Sequence, residues 1–505
     1  MRRRLGITAI TLGVVSGLAR GEEVQWRAAT DSRAHSESIR KTSTQAEEPP
    51  IVIGPLPQAE PKQETLKPRS PEPLPKSPAP ELLQPPRAVE ESSKNKPLPA
   101  EPVMVNASPT IVESEATVWP ATRSTRPRFY TSAEYLLWFT DRMNAPPLVT
   151  TAPLPPGGVL PPNFGLIGAP GTQVLYGDGP IGNSFRMGGR FGLGLWLDCD
   201  QTCGLDASFF FLGRNADTVS FSSRLQPVLL RPFIQQNPPT GPNYQIVAFP
   251  PGFTQNNQPF PDQTGTVSVR TATGLWGAEI NAKECFVSQC TPAGGFRIDL
   301  FAGFRYLGMD DRLTIVEDLV LGQNNVAGFP PNTAVIVTDR FDTYNQFYGG
   351  QGGMRWEARS GAWSFDGRAS LALGGTRQVT HIDGSQRVTP PGGPSQFFVG
   401  GLLALPSNIG RHVTGRFSFV PELTMNLGYF VRPNVKVFAG YNLLFWTNVQ
   451  RAAEQIDPVL DLAQIPNFND PLNPPTPQNP PRPFVLFQQS DFWAQGMQLG
   501  VELRW

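Results

Sequence analysis

The chain has 505 residues, with 55 prolines, 49 glycines, a 17% charged fraction and a formal net charge of zero. That balance excludes polyanion binding driven by bulk charge and is unusual for a soluble globular enzyme. The 32 phenylalanines and 10 tryptophans, set against a slightly polar mean hydropathy, fit a β-rich protein whose aromatic residues are spread over alternating stretches.

The chain opens on an export-type signal. Met1-Arg2-Arg3-Arg4 is a basic cluster, Leu5 to Val15 is apolar but too short to span a bilayer, and Gly17-Leu18-Ala19 is a small-residue cleavage site. Residues 1–19 are therefore expected to be a signal peptide. No later run reaches 18 consecutive apolar residues, so no transmembrane helix is predicted. From Glu22 to Thr125 the sequence is rich in Pro, Glu, Lys and Ser, as in "PKQETLKPRSPEPLPKSPAPELLQPP". Such a segment buries too little apolar area to offset chain entropy, and its prolines favour an extended, semi-stiff spacer. Residues 20–127 are expected to be disordered and periplasmic, with the cell wall as a possible contact.

Near Pro127 the texture changes to alternation. In "FYTSAEYLLWF", Ala133, Tyr135, Leu137 and Phe139 share one face and Glu134 lies on the other. In "SFRMGGRFGLGLWLD", Met187, Phe191, Leu193, Leu195 and Leu197 oppose Arg186 and Arg190; in "GLDASFFFLG", Leu205, Ala207, Phe209 and Phe211 oppose Asp206. Further strands are predicted near 266–282, 295–315, 335–358, 362–379, 416–430, 434–447 and 490–505. Period-two alternation of this length fits strands with one lipid face and one lumen face. Pro421 falls within a strand; proline removes a ladder donor, which predicts a bulge there.

Connections alternate in length. Short ones fall near 199–203, 283–294, 359–361 and 432–433, and long ones near 141–183, 214–265, 308–334, 380–415 and 448–489. Short turns on one side and long loops on the other are the pattern of an outer-membrane barrel. The fold expected is all-β: an antiparallel up-and-down transmembrane barrel over 128–505, with ten strands, or twelve if a long loop hides a hairpin. On the last strand Trp493, Met497, Leu499, Val501, Leu503 and Trp505 share one parity; Gln498, Gly500, Glu502 and Arg504 take the other. Trp493, Leu499, Val501, Leu503 and Trp505 form the strip expected to meet barrel-insertion machinery.

The segments "AEYLLWF", "PPLVTTAP", "RFGLGLWLD", "FRIDLFAGFRYLGMDDRLTI" and "FAGYNLLFWTNVQR" resemble, in that order, porin-like outer-membrane β-barrels typical of planctomycetes. The resemblance covers Phe129 to Trp505. It implies a barrel in the outer membrane and brings no catalytic or ligand residues with it.

Four cysteines fall in two close pairs, Cys199 with Cys203 and Cys285 with Cys290, both placed at predicted short turns. In an oxidising compartment the plain expectation is two hairpin-closing disulfides, each on the low side of ~2–4 kcal/mol; a zinc site is the sharper alternative. His381 with Asp383, or His412, could suggest a rim hydrolase, but no G-x-S-x-G elbow or phosphate loop accompanies them. No enzyme activity, cofactor or nucleic-acid partner is expected.

The remaining constellation is the lumen set: Glu134, Arg186, Arg190, Asp206, Glu279, Arg297, Asp299, Arg305, Arg355, Glu357, Asp366, Arg368, Glu422, Lys436, Glu502 and Arg504. A lipid-facing Arg or Lys at mid-membrane costs ~2–4 kcal/mol, which fixes this face as the inner one. Both signs are interspersed, and a ten-stranded barrel is little wider than one whose interior side chains fill. A narrow or closed lumen is therefore expected ahead of an open porin. Passive passage of small solutes, or display of the long loops to a surface partner, are the functions that follow.

Overall fold

The computed structural model describes residues 127–505 apart from 292–293, 326–327 and 467–475. The chain divides into two units, Met1–Val112 and Glu113–Trp505. The signal expected over 1–19 and all but the last residue of the segment expected over 20–127 lie outside the described residues.

Ten long strands form the wall: β1 (Phe129–Thr140), β2 (Phe185–Trp196), β3 (Cys203–Ser222), β4 (Gln263–Thr291), β5 (Gly294–Leu321), β6 (Ala334–Ser360), β7 (Trp363–Thr389), β8 (Gly410–Arg432), β9 (Val435–Val449) and β10 (Ser490–Arg504). Each pairs antiparallel with its neighbours in the chain. β10 pairs back onto β1 over Tyr130↔Arg504 to Thr140↔Ala494, closing the ring. The expected up-and-down barrel of ten strands is what folds. The four short turns and both ends of the barrel chain share one end. Gly361, at φ +58°, makes the tight β6–β7 turn at a backbone angle that favours glycine.

The outer face follows the alternation. Phe191, Leu193, Phe209, Ile280, Leu300, Leu371, Leu427 and Leu499 are all exposed. Aromatic residues border this band. Toward the short turns, Trp363 and Tyr429 pack at 5.0 Å, and Phe296 and Trp505 are exposed at the same end. Toward the long loops, Trp276, Tyr306 and Tyr348 stack at 4.6 and 4.9 Å. Phe296 and Tyr306 on β5 are ten residues apart, about 25 Å at the usual rise and tilt. That is the height of an apolar membrane band flanked by aromatic girdles.

Four strands are far longer than a membrane requires: β4 to β7 run 29, 28, 27 and 27 residues, against 12 for β1 and β2. Beyond Tyr306 the pattern of β5 inverts. Asp310, Arg312, Thr314 and Asp318 now face outward, while Leu307, Met309, Leu313, Ile315 and Leu319 are buried inside. The same backbone parity leaves lipid for water on its outer side, and an apolar core replaces the polar interior.

That core is completed by the long loops. Segments Val149–Thr151, Gln173–Tyr176, Leu229–Gln235, Gly241–Ala248 and Val459–Leu460 form a small separate sheet. Loop residues Leu148, Leu229, Phe233, Leu402, Leu405, Ala452 and Ile456 pack with strand residues Leu313, Ile315, Val337, Phe341 and Ile382. The long connections are thus a folded cap rather than open loops.

Two local expectations are corrected. There is no bulge at Pro421: the β7–β8 register is unbroken from Trp363↔Tyr429 to Ile382↔Gly410, with Pro421 opposite Leu371. Instead the β8–β9 ladder starts at Glu422, directly after the proline. Above it the Thr447 hydroxyl accepts the Phe419 amide at 3.0 Å, so the missing donor ends a ladder rather than bending a strand.

The disulfides are also not formed: Cys199, Cys203 and Cys285 are free. Cys285 and Cys290 do not flank a turn; both lie on β4, which runs on to Thr291. Five residues of extended strand separate their Cα atoms by roughly 16 Å, far beyond the ~7 Å a disulfide can bridge. The 199–203 turn is closed without sulfur. The Asp198 carboxylate accepts the amides of Thr202 and Cys203 at 2.8 Å each, and the Leu197 amide donates to the Cys203 carbonyl at 2.9 Å. These bonds hold the Asp198 carboxyl well down, to about 2.

Candidate functional site: the barrel lumen

Because side chains alternate, every second residue of each strand is delivered to the lumen. Fifteen of the sixteen charged residues expected there line it between the short-turn mouth and Glu422. They are not a loose lining but a network of ion pairs, some along or between neighbouring strands and others across the bore. Glu422 on β8 accepts Arg190 of β2 at 2.8 Å and Arg305 of β5 at 2.5 Å. Glu134 sits 3.9 Å from the same Arg190. Glu279 of β4 pairs with Arg368 of β7.

Nearer the mouth, Glu502 of β10 meets Lys436 of β9 at 3.2 Å and Arg355 of β6 at 3.5 Å. Lys436 also holds Asp366 of β7 at 2.9 Å. Arg504 joins Glu502 at 2.5 Å and Glu357 at 2.9 Å. Arg297 and Asp299 pair along β5 at 2.7 Å. Among the described residues Asp206 makes no ion pair, and it accepts the Asn281 amide at 2.9 Å.

The sixteenth, Arg186, is buried elsewhere. Its register partner is Trp138, above the charged layers, where its guanidinium donates to the Asn215 carbonyl at 2.8 Å.

Neutral residues that charge-based reasoning passed over complete the network. Ser208 and Gln351 donate to Glu279, each at 2.9 Å. Asn442 donates to Glu422 at 2.7 Å, and Asn426 to Asp366 at 3.0 Å. Lys283 was missed because the sequence placed it in a turn; it lies on β4 facing inward, with its Nζ 2.6 Å from the Tyr130 hydroxyl. Parity finds the four neutral residues within the predicted strands, and Lys283 once β4 is extended to Thr291.

Immediately above Glu422 the lumen turns apolar. Leu136, Trp138, Phe210, Leu275, Leu307, Phe347, Val420, Leu444 and Trp446 form one buried cluster across the bore. Phe347 and Trp446 pack edge to face at 6.2 Å. The free space narrows toward this layer. A cavity of about 500 Å³ opens at the mouth, lined by Arg297, Arg355, Glu357 and Arg504. An inner chamber of about 110 Å³ follows, lined by Glu134, Arg190, Glu279 and Arg368. A void of about 10 Å³ lies at Arg305 and Glu422.

The cap is tied down by buried ions. Arg231 pairs with Glu317 of β5 and, at 2.8 Å, with Asp339 of β6; all three are at most 1% exposed. The other oxygen of Asp339 accepts the amides of Leu402, Leu403 and Ala404 at 2.9, 2.9 and 2.8 Å. Arg451 from the last loop reaches Asp311 of β5 at 2.5 Å.

His381 and Asp383 share the outer face of β7 beyond the apolar band, opposite Asp342 and Arg340. His412 faces the Asn408 carbonyl at 3.0 Å and packs on Phe487. The insertion-strip residues Leu499, Val501, Leu503 and Trp505 are exposed on the outer face of β10, with Trp493 partly so. Among the described residues there is no group of three or more His, Cys, Asp or Glu that could hold a metal ion.

The model of the family described as "Putative beta barrel porin-7" matches residues 130–505. The chain belongs to this family. It is a porin-like β-barrel of the outer membrane; the match says nothing of the organism. No curated protein matches the chain. Among solved structures, the outer membrane protease OmpT from Escherichia coli is 9% identical, covers 75% of this chain and 98% of its own, and has a TM-score of 0.31. A TodX deltaS2S3 mutant, described as a monoaromatic hydrocarbon channel, is 7% identical over 75% of this chain and 91% of its own, with a TM-score of 0.19. At these scores neither likeness carries a conclusion about this family member.

Proposed function

We propose that this porin-like barrel is non-conducting in the folded state: a structural outer-membrane protein whose lumen is a blind funnel open to the periplasm. The decrease in free volume from about 500 through 110 to 10 Å³ carries the reading. The last void holds roughly one water at most, and it ends under the Trp138, Phe347 and Trp446 layer. Charge pairs narrow the bore, and the apolar layer and the cap stop it. A liposome-swelling assay with a small sugar tests this. Swelling no faster than that of protein-free vesicles supports closure, and swelling at porin-like rates refutes it.

In this reading the short-turn end is periplasmic and the capped end extracellular, the usual orientation of such barrels. Phe129 and Trp505 exchange two backbone hydrogen bonds at the short-turn end, so the proline-rich segment would leave into the periplasm, within reach of the cell wall. The exposed strip of β10 is the surface that insertion machinery would engage.

A surface-interaction role is the second reading. It is favoured by Phe397 and Val399, 73% and 70% exposed on the short strand Gln396–Val399 that pairs with β7. Unchanged cell-surface binding after removal of that strand would count against it.

A further inference from the structure

The inner chamber of the funnel contains a mismatch. Ten charged residues line it, and among the described residues all but two are engaged in ion pairs. The two are Lys283 and Asp206, of opposite sign. They sit on adjacent strands, with Lys283 opposite Gly204 and Asp206 opposite Asn281. Diagonal neighbours of this kind have side chains roughly 7 Å apart at their bases, within reach of each other, yet they do not pair.

The surroundings explain why they stay apart. Lys283, only 5% exposed, donates to the Tyr130 hydroxyl at 2.6 Å. Its ammonium lies 4.3 Å from the Tyr130 ring and 3.9 Å from the Trp196 ring. Such rings attract a cation and hold it in place. Asp206 is anchored on the other side by the Asn281 amide at 2.9 Å through one oxygen. Each group is thus held with capacity to spare: the ammonium has three donors, and the carboxylate has a second oxygen. Lys283 is buried without an ion pair among the described residues, which is costly, and Asp206 beside it is partly exposed to the chamber, so one ligand that carries both complements satisfies the pair.

We infer that the inner chamber binds a small zwitterion of the α-amino-acid class, its carboxylate on Lys283 and its ammonium on Asp206. The two charged groups of such a molecule are joined through a single carbon, which suits two neighbouring hosts of opposite sign. A chamber of about 110 Å³ opening into one of about 500 Å³ admits a small member of the class from the periplasmic side. The site depends only on the inner chamber and its opening to the mouth, so it stands whether or not the lumen conducts.

The test is calorimetric titration of the refolded full chain in detergent with glycine, acetate and methylammonium, each alone. The expected result is saturable binding of glycine, with acetate and methylammonium at least about tenfold weaker. Asp206→Asn and Lys283→Met should each remove the advantage of glycine, with heat-modifiable gel mobility retained as the check on folding. Equal binding of acetate and glycine would make the site a plain anion site and overturn the proposal. No binding of glycine at all would overturn it too. The three-probe comparison on the unsubstituted protein decides the matter even if a variant does not fold.

Discussion

Arg305 on β5 and Glu422 on β8 meet at 2.5 Å across the lumen, although two strands, β6 and β7, stand between them in the wall. Arg190 reaches the same carboxylate from the opposite side at 2.8 Å. One glutamate therefore ties three parts of the ring together at the level where the free bore ends.

Removing that glutamate should be severe. Glu422→Ala leaves two guanidiniums buried without their carboxylate, and breaking a buried pair by deleting one partner costs about 3–5 kcal/mol. Denaturant unfolding of the refolded protein should show a loss of that order. A change below about 1 kcal/mol would mean that Arg190 and Arg305 find other partners.

The apolar layer should respond through packing. Phe347 and Trp446 are both fully buried, and truncating either to Ala should cost about 3–5 kcal/mol. Because the rings touch, the double variant should cost less than the sum of the two. Strict additivity, read from the three unfolding midpoints, would argue against a shared packed layer.

The cap should detach before the barrel unfolds. Arg231→Met leaves Glu317 and Asp339 buried without their cation, again a cost of about 3–5 kcal/mol. Limited proteolysis of whole cells should then cleave within 226–260 or 400–409, while heat-modifiable mobility persists. Cleavage in neither segment would show that the cap does not depend on this cluster.

Thiol chemistry gives a fast check on the turn at 199–203. Cys199 and Cys203 should alkylate to the same extent with and without prior reduction. The turn depends instead on Asp198, whose carboxyl is held down to about 2 by the amides of Cys203 and Thr202. A carboxyl depressed in the folded state stabilises above its unfolded value, near ~3.9. That contribution is lost as pH falls through about 2. Protection of the Cys203 amide against hydrogen exchange should fade over that window, and Asp198→Asn should shift the dependence.

Much of this was legible from alternation. Met187 and Phe191 outward, Arg190 and Glu422 inward, and the count of ten strands all follow from a period of two in a wall that has lipid outside. The failures share one cause. Alternation says which residues share a face but not what that face meets. Leu307 and Leu313 continue the inward parity of Arg305, yet belong to an apolar core because β5 has left the membrane and loops from 229 to 465 cover it. Nothing local to 308–321 distinguishes a strand above the membrane from a loop, so the alternation predicts an end near Ile315 where β5 runs to Leu321.

The cysteines show the same limit. Clear alternation ends near Ala282, which puts Cys285 and Cys290 at a turn, whereas β4 runs nine residues further, to Thr291. Pro421 was read from the missing donor alone, without the side-chain substitute that Thr447 supplies. The charged set was found by its sign, whereas Lys283, Ser208, Gln351, Asn426 and Asn442 needed the corrected strand bounds and the parity of neutral residues.

The most direct test of closure is single-channel recording in planar bilayers with refolded protein whose folding is verified by heat-modifiable mobility. A bore stopped by the Trp138, Phe347 and Trp446 layer predicts a silent bilayer with the unsubstituted chain. Stable, reproducible steps from that chain, with ion selectivity altered by Arg305→Ala, would contradict closure and make the inward arginines the walls of an open pore.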